Sequence, residues 1–366
     1  MTTLVLHPQN PTLGQKQQLA VLREILPTAE FRIVRNVLRD VIGTIWQRRR
    51  PATCVAVGVR AARHGALLKP KTLVCVVPAA VDLSDAAAGR YSVGRAIKAY
   101  LSIASVVKCE FVCQTAGSQR TLVKFGINPN AVRLVRPGVD SAAVRQALGR
   151  TEQLRERLGI AAGFRVIHAP GETTHAANHG LSVWAASVLA ELHSNYRLVL
   201  AGEGPLAPSV RGFISRMLKP SVVLLAADYS EQKDAADLPA LQSTNVAPQR
   251  LTSYDLAALS DVALFTPRAP IEPFAVACAM ASGKPIVATL TPGMCEYLED
   301  RHTCLMAAKM TPRVITRRLL DLHEDPTLAW QIADRARAEA YDLHSLSGER
   351  QAWRDLFTAT AVQGAK

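Results

Sequence analysis

Arg268 and Glu272 share one loop, TPRAPIEP, and Gly293 and Glu296 share a second, TPGMCE. A guanidinium and carboxylates in exposed loops can grip the anionic and hydroxyl groups of a ligand. Both loops belong to one stretch, 261–308, read DVALFTPRAPIEPFAVACAMASGKPIVATLTPGMCEYLEDRHTCLMAA. DVALFTP is a short apolar run ending in proline, as a strand does. AVACAMAS is an Ala-rich helix stopped by Gly283. Pro285 opens the strand PIVAT, and TPGMCEYLED is a glycine-containing turn expected to lead into a second helix. Parallel sheets bind ligands at the carboxyl ends of their strands, so both loops are expected to face one cleft.

Four pieces in this order carry a resemblance: Thr266-Pro267-Arg268, Glu272-Pro273-Phe274, the run AMASGKP from Ala279 to Pro285, and Gly293 with Glu296. Together they resemble the nucleotide-sugar site of glycosyltransferase family 4. The resemblance implies an α/β protein of GT-B fold. Two Rossmann-like, doubly wound domains would face a cleft, and a C-terminal helix would cross back to the first. It implies hexose transfer from a nucleotide-diphosphate sugar to a glycan or lipid acceptor, with retention. No cofactor and no metal are implied beyond the nucleotide sugar. Cationic side chains and helix N-termini stabilise the charge left on the diphosphate. By the same resemblance Glu272, His179 and Arg268 are the catalytic candidates. Gly171, Glu172, Gly202, Gly204, Tyr254, Phe274, Cys278, Gly293 and Glu296 are candidates for donor binding, and Gly14 and Asp82 lie on the acceptor side.

The chain departs from that pattern at several points. The loop GETTHAANHG carries Thr174 and His179 where the family has an arginine and a lysine. With an ordinary pKa of about 6.5, a histidine is a weaker phosphate clamp than lysine at neutral pH. In the register set by AMASG, the family's two glutamate positions hold Pro270 and Cys278; counted from Glu272, the partner position holds Met280. His175 and Lys284 are further cations near these loops. Only Gly14 is left of a glycine-rich first loop, and PAAVD, ending at Asp82, lacks the family's histidine. Two readings therefore stay open. One is an active transferase; the other is a catalytically degenerate GT-B protein that binds nucleotide or glycan, or partners an active transferase.

With 366 residues, 49% hydrophobic and 5% aromatic, the chain can build two cores of Ala/Val/Leu-rich packing. No apolar run reaches the length of a transmembrane helix. MTTLVLHPQNP lacks the basic start and cleavage site of a signal peptide, so a cytoplasmic location is expected. Seven scattered cysteines without a CxxC pair read as buried free thiols. Residues 1–150 hold 22 Lys and Arg against 7 Asp and Glu, whereas 151–366 hold 21 against 23. The excess positive charge thus sits in the first half. It points to an anionic membrane surface, met peripherally, or to an acidic acceptor. A nucleic-acid partner would rest on charge alone, and none is expected.

Along the chain, strands and helices alternate as a doubly wound sheet requires. FRIVRNVLRDVIGTIWQRRRP has apolar residues at helical spacing ringed by arginine, and is expected to be a basic amphipathic helix. RPGVD, with Pro137 and Gly138, reads as the hinge between a first domain, 1–139, and a second, 140–345. The tail 346–366 is expected to return to the first domain. DYSEQKDAADLPALQSTNVAPQR, polar and long, reads as an inserted loop.

Overall fold

The computed structural model describes residues 3–34, 51–77, 93–229, 251–268 and 272–364. They form two compact units. The first takes residues 1–138, 270–274 and 343–366; the second takes 139–269 and 275–342. Glu272, Pro273 and Phe274 group with the first unit, although the residues that follow them belong to the second.

The first unit holds six parallel strands: β1 (Thr3–Pro8), β2 (Glu30–Val34), β3 (Thr53–Val57), β4 (Thr72–Val77), β5 (Cys109–Cys113) and β6 (Val132–Leu134). Their order is β2-β1-β3-β4-β5-β6. β3, β4 and β5 are runs of Val, Ala, Cys and Leu covered on both faces, as central parallel strands must be. On one face Ala62, Tyr100 and Leu122 come from the helices Val59–Leu67, Val93–Ala104 and Ala116–Lys124. The other face packs on the helix Leu13–Ile25 through Leu19 and Leu22, and on the C-terminal helix Leu346–Gly364 through Trp353 and Leu356. Trp353 is fully buried, so the C-terminal helix supplies part of the first unit's core.

The expected basic helix is corrected at its start, because Glu30–Val34 is the edge strand β2. Val34 is the one buried residue of that strand, so its burial pattern leaves no alternation to read. The remainder of that segment lies outside the described residues. So do Asp82 and residues 230–250 of the polar insertion.

The second sheet comprises β7 (Arg165–Ala169), β8 (Tyr196–Leu200), β9 (Val223–Leu225), β10 (Val262–Phe265), β11 (Ile286–Thr289) and β12 (Leu305–Ala307). All are parallel in the order β12-β11-β10-β7-β8-β9. Chain order reverses between β10 and β7, which makes their carboxyl ends the switch point where such sheets take ligands. The turn TPGMCE does not lead into an α-helix. It closes as the single 3-10 turn Met294–Glu296, and CLMAA supplies the edge strand β12. All seven cysteines are free, and only Cys295 is exposed.

Candidate functional site

The loop after β7 and the loop after β10 are laced together at the switch point. Thr266 is the knot. Its hydroxyl lies 3.2 Å from the Asn178 carbonyl and 2.8 Å from Ser182 Oγ, while its own carbonyl accepts from Asn178 Nδ2 at 3.1 Å. Two residues on, the Arg268 backbone N–H donates to the Ala176 carbonyl at 2.9 Å. The Thr289 hydroxyl, at the end of β11, donates to the Pro267 carbonyl at 3.1 Å. Arg268 is thereby fixed by its backbone, while its side chain is exposed and has no ion-pair partner among the described residues.

This lacing sets the start of the helix His179–Leu192. Asn178 precedes it in the left-handed region, φ 54° and ψ 41°, and its side chain makes no capping bond. Asparagine adopts that conformation more readily than most residues. A Cβ placed on Gly180 or on Gly171 would meet no atom within 4 Å, so the backbone there faces open space. A helix N-terminus with uncovered N–H groups attracts an anion. The loop after β8 closes under the first one. Thr173 N–H donates to the Glu203 carbonyl at 2.6 Å. Gly204 has φ +114°, and a Cβ there would lie 2.7 Å from Thr173 N. Only glycine fits that approach.

His179 is corrected as a cation. It is 3% exposed, and burial pushes its pKa down to about 4. Nε2 lies 3.2 Å from the Pro170 carbonyl and therefore carries the proton, since a carbonyl only accepts. Nδ1 then accepts from Thr173 Oγ1 at 3.3 Å. A neutral ring so held ties both ends of the loop together and brings no charge to it. His168 on β7 is also buried, and its pKa is pushed down to about 3 by burial and by His179.

Lys284 is corrected in place. It follows a helix that runs back across the sheet, so it lies at the amino ends of the strands, near Asp261 and Arg155. Asp261 accepts the Val166 N–H there, and the Pro285 carbonyl accepts from Ala263 N–H. Burial lowers the Lys284 pKa. Cys278 and Met280, both candidates for the second carboxylate position, are 2% and 0% exposed within the helix Pro273–Ala281. The Cys278 thiol is pushed up by burial, and it lines no loop. Phe274 is likewise buried. Gly202, Gly293 and Glu296 sit in loops at carboxyl ends of strands, as does Glu172 after β7, and His175 in the same loop is exposed. Tyr254 opens the helix Ser253–Leu259, and its hydroxyl accepts the Asp140 N–H at 3.2 Å. From sequence Thr266 entered only as a piece of Thr266-Pro267-Arg268, with no role of its own, and Asn178 not at all. The cues were a threonine before proline at a strand end and an asparagine just before a helix.

Glu272 belongs to the first unit's loop cluster. Its Oε2 accepts from the Thr12 hydroxyl at 3.3 Å. Thr12 caps the helix Leu13–Ile25 in a reciprocal box with Gln15. A Cβ on Gly14 would stand 1.6 Å from Glu272 Oε1, so the absence of a side chain at Gly14 makes the room this carboxylate occupies. Helix Leu13–Ile25 has no acidic residue in its first turn, and Glu272 supplies negative charge there.

Among the described residues no group of three or more His, Cys, Asp or Glu side chains is placed to hold a metal ion. No described helix is long and apolar enough to cross a membrane.

Residues 150–339 match the family described as glycosyl transferases group 1. No curated protein matches the chain by sequence. Among solved structures, HepE of Anabaena in complex with UDP and glucose is similar, with TM-score 0.75 and 16% identity over 98% of this chain and 100% of that one. Sucrose-phosphate synthase from Thermosynechococcus elongatus aligns with TM-score 0.72 and 13% identity over 98% and 100%. WaaG, a glycosyltransferase involved in lipopolysaccharide biosynthesis, aligns with TM-score 0.69 and 13% identity over 96% and 98%. At these identities the likeness concerns fold: two Rossmann-like units, each on a parallel six-stranded sheet, of the GT-B type.

Proposed function

Because the chain belongs to the glycosyl transferases group 1 family, we propose that it moves a hexose from a nucleotide-diphosphate sugar to a glycan or lipid acceptor, with retention. The observation that carries this reading is the laced loop pair at the switch point, with an uncapped helix N-terminus and the exposed Arg268 side chain at the carboxyl ends of one sheet. UDP is the nucleotide to test first, because HepE was solved with UDP and glucose.

In this reading the diphosphate lies between the loop Pro170–Gly180 and the turn Thr291–Glu296. Cleaving the sugar–phosphate bond leaves negative charge on the diphosphate. Backbone N–H groups near Gly180 and the Arg268 guanidinium offset that charge, so no metal ion is required. His179 acts as a positioning residue, holding the loop shut through Pro170 and Thr173. Glu296 takes sugar hydroxyls.

A second reading is favoured by specific residues: a neutral His179 in the family's lysine place, and buried Cys278 and Met280 where a second carboxylate is absent. A chain so equipped would bind nucleotide without turning it over. Calorimetry with UDP and GDP, followed by a donor-hydrolysis assay with UDP-glucose, separates the two. Binding with hydrolysis or transfer supports the enzyme, and binding without either supports the degenerate protein. No binding of either nucleotide would count against the enzyme and leave, of the degenerate reading, only a glycan-binding or partner role.

A further inference from the structure

Three successive crossovers in the first unit end in the same way. β3, β4, β5 and β6 lie side by side in chain order. Right-handed crossovers therefore stack the helices Val59–Leu67, Val93–Ala104 and Ala116–Lys124 on one face. Their C-terminal ends form a row along the amino edge of the sheet, spaced by roughly 10 Å. At each exit an apolar side chain stands in solvent: Leu67 is 52% exposed, Val106 73% and Phe125 52%.

Lysines flank every one of them. Lys69 and Lys71 follow Leu67, Lys108 follows Val106, and Lys124 precedes Phe125. All four are exposed, and none has an ion-pair partner among the described residues. The acidic side chain next to them, Glu110, is buried. Lysine near a helix C-terminus complements the helix dipole, which accounts for the charge. It does not account for the exposed Leu, Val and Phe. Single exposed apolar residues are ordinary on a protein surface; three at equivalent exits, each beside an exposed lysine, make a patterned surface.

We propose that this amino edge docks on an anionic lipid bilayer, with Leu67, Val106 and Phe125 entering the headgroup region and the lysines meeting lipid phosphates. The charge excess of residues 1–150 is complementary to such a surface. The strands' carboxyl ends lie one strand length away, ~20 Å, so the first unit's loops around Gly14 stay clear of the lipid. The inference stands apart from the transfer reaction and does not depend on it.

Flotation of the full chain with phosphatidylcholine vesicles, with and without phosphatidylglycerol, tests it. Binding should be at least about tenfold stronger to the anionic vesicles and should fade as salt shortens the screening length. Two variants with unchanged circular dichroism should each lose that preference. One is Lys69→Gln with Lys71→Gln, Lys108→Gln and Lys124→Gln; the other is Leu67→Ser with Val106→Ser and Phe125→Ser. An independent readout is Phe125→Trp, whose fluorescence should shift to the blue on anionic vesicles. Equal binding to neutral and anionic vesicles overturns the proposal. So does full binding by the lysine variant, a Trp signal that vesicles leave unmoved, or binding to soluble polyglutamate without binding to vesicles.

Discussion

Glu349 accepts the backbone N–H of Gly138 through Oε2 at 2.7 Å, across 211 residues of sequence. The same oxygen accepts from Gln17 Nε2 at 2.6 Å. Close by, His344 Nδ1 donates to the Pro137 carbonyl at 3.2 Å. Two side chains from the C-terminal segment thus hold the Pro-Gly step at which the first unit ends.

The carboxyl of Glu349 is 3% exposed, and burial pushes its pKa up to about 7, against the opposing bonds from Gly138 and Gln17. A raised carboxyl pKa means the folded chain holds a proton that the unfolded chain has released. Stability from this group is therefore present below the unfolded pKa and is lost as pH rises to about 7. The loss amounts to about 3 kcal/mol at most. Glu349→Gln keeps the carbonyl acceptor for Gly138 and removes the titration. Urea midpoints of both proteins from about pH 5 to about pH 8 should show the variant gaining on the wild type as pH rises. A constant difference across that range would show that Glu349 does not titrate there.

Gly138 has a second constraint. A Cβ there would lie 2.5 Å from Leu346 Cα and 2.7 Å from the Ser345 carbonyl, both backbone atoms. Gly138→Ala must push the C-terminal helix away, which strains the packing of Trp353 beneath it. Overpacking of this kind costs about 1–3 kcal/mol, which thermal unfolding would register as a drop of several degrees. Gly14→Ala makes an instructive contrast. Its obstacle is the end of the Glu272 side chain, which can swing aside, so the melting temperature should move less than for Gly138→Ala.

The stretch around β10 and β11 was legible because local rules agree there. VALF and IVAT are apolar strands, and Gly283, with φ +65°, ends the helix between them. β2 was not legible, since Val37, Val41 and Ile45 continue a helical spacing from Val34 in the sequence. Lys284 misled for a geometric reason. It adjoins the motif in sequence, but a crossover helix returns the chain to the opposite end of the sheet. His179 was recognised by type and position, yet its charge depends on burial and on partners nine and six residues away. The partner of Glu349 could not be read at all, because no local pattern connects a residue in the C-terminal helix to Gly138.

The buried histidines give the opposite pH signature to Glu349. His168, His179 and His344 are pushed down to about 3, about 4 and about 4, each chiefly by burial. Below about pH 6.5 the unfolded chain takes up protons that the folded chain refuses, so stability falls as pH falls through that range. His179→Gln, which keeps a donor for the Pro170 carbonyl, should flatten part of this fall. The terminal phosphate of UDP itself ionises near pH 6, so the expected outcome is that wild type and His179→Gln show the same pH profile of nucleotide affinity between about pH 6 and about pH 8, because the ring is neutral throughout. A fall in affinity centred near pH 6.5 and absent in His179→Gln would restore His179 as a cationic clamp.

In the proposed reading Arg268 is the side-chain cation of the donor site, and its position makes the sharpest test. The lacing of Arg268 N–H to Ala176, and of Pro267 to Thr289, depends on the backbone and survives truncation of the side chain. Arg268→Ala should therefore leave the melting temperature close to that of the wild type. It should weaken UDP binding by roughly tenfold or more, the equivalent of about 1.5–3 kcal/mol for a charge-assisted contact. Arg268→Lys keeps the charge but loses the planar fork, so affinity should recover only in part. Calorimetry on the three proteins at low and moderate salt measures all of this. If Arg268→Ala binds UDP as tightly as the wild type, the diphosphate does not lie beside this loop, and the degenerate reading gains.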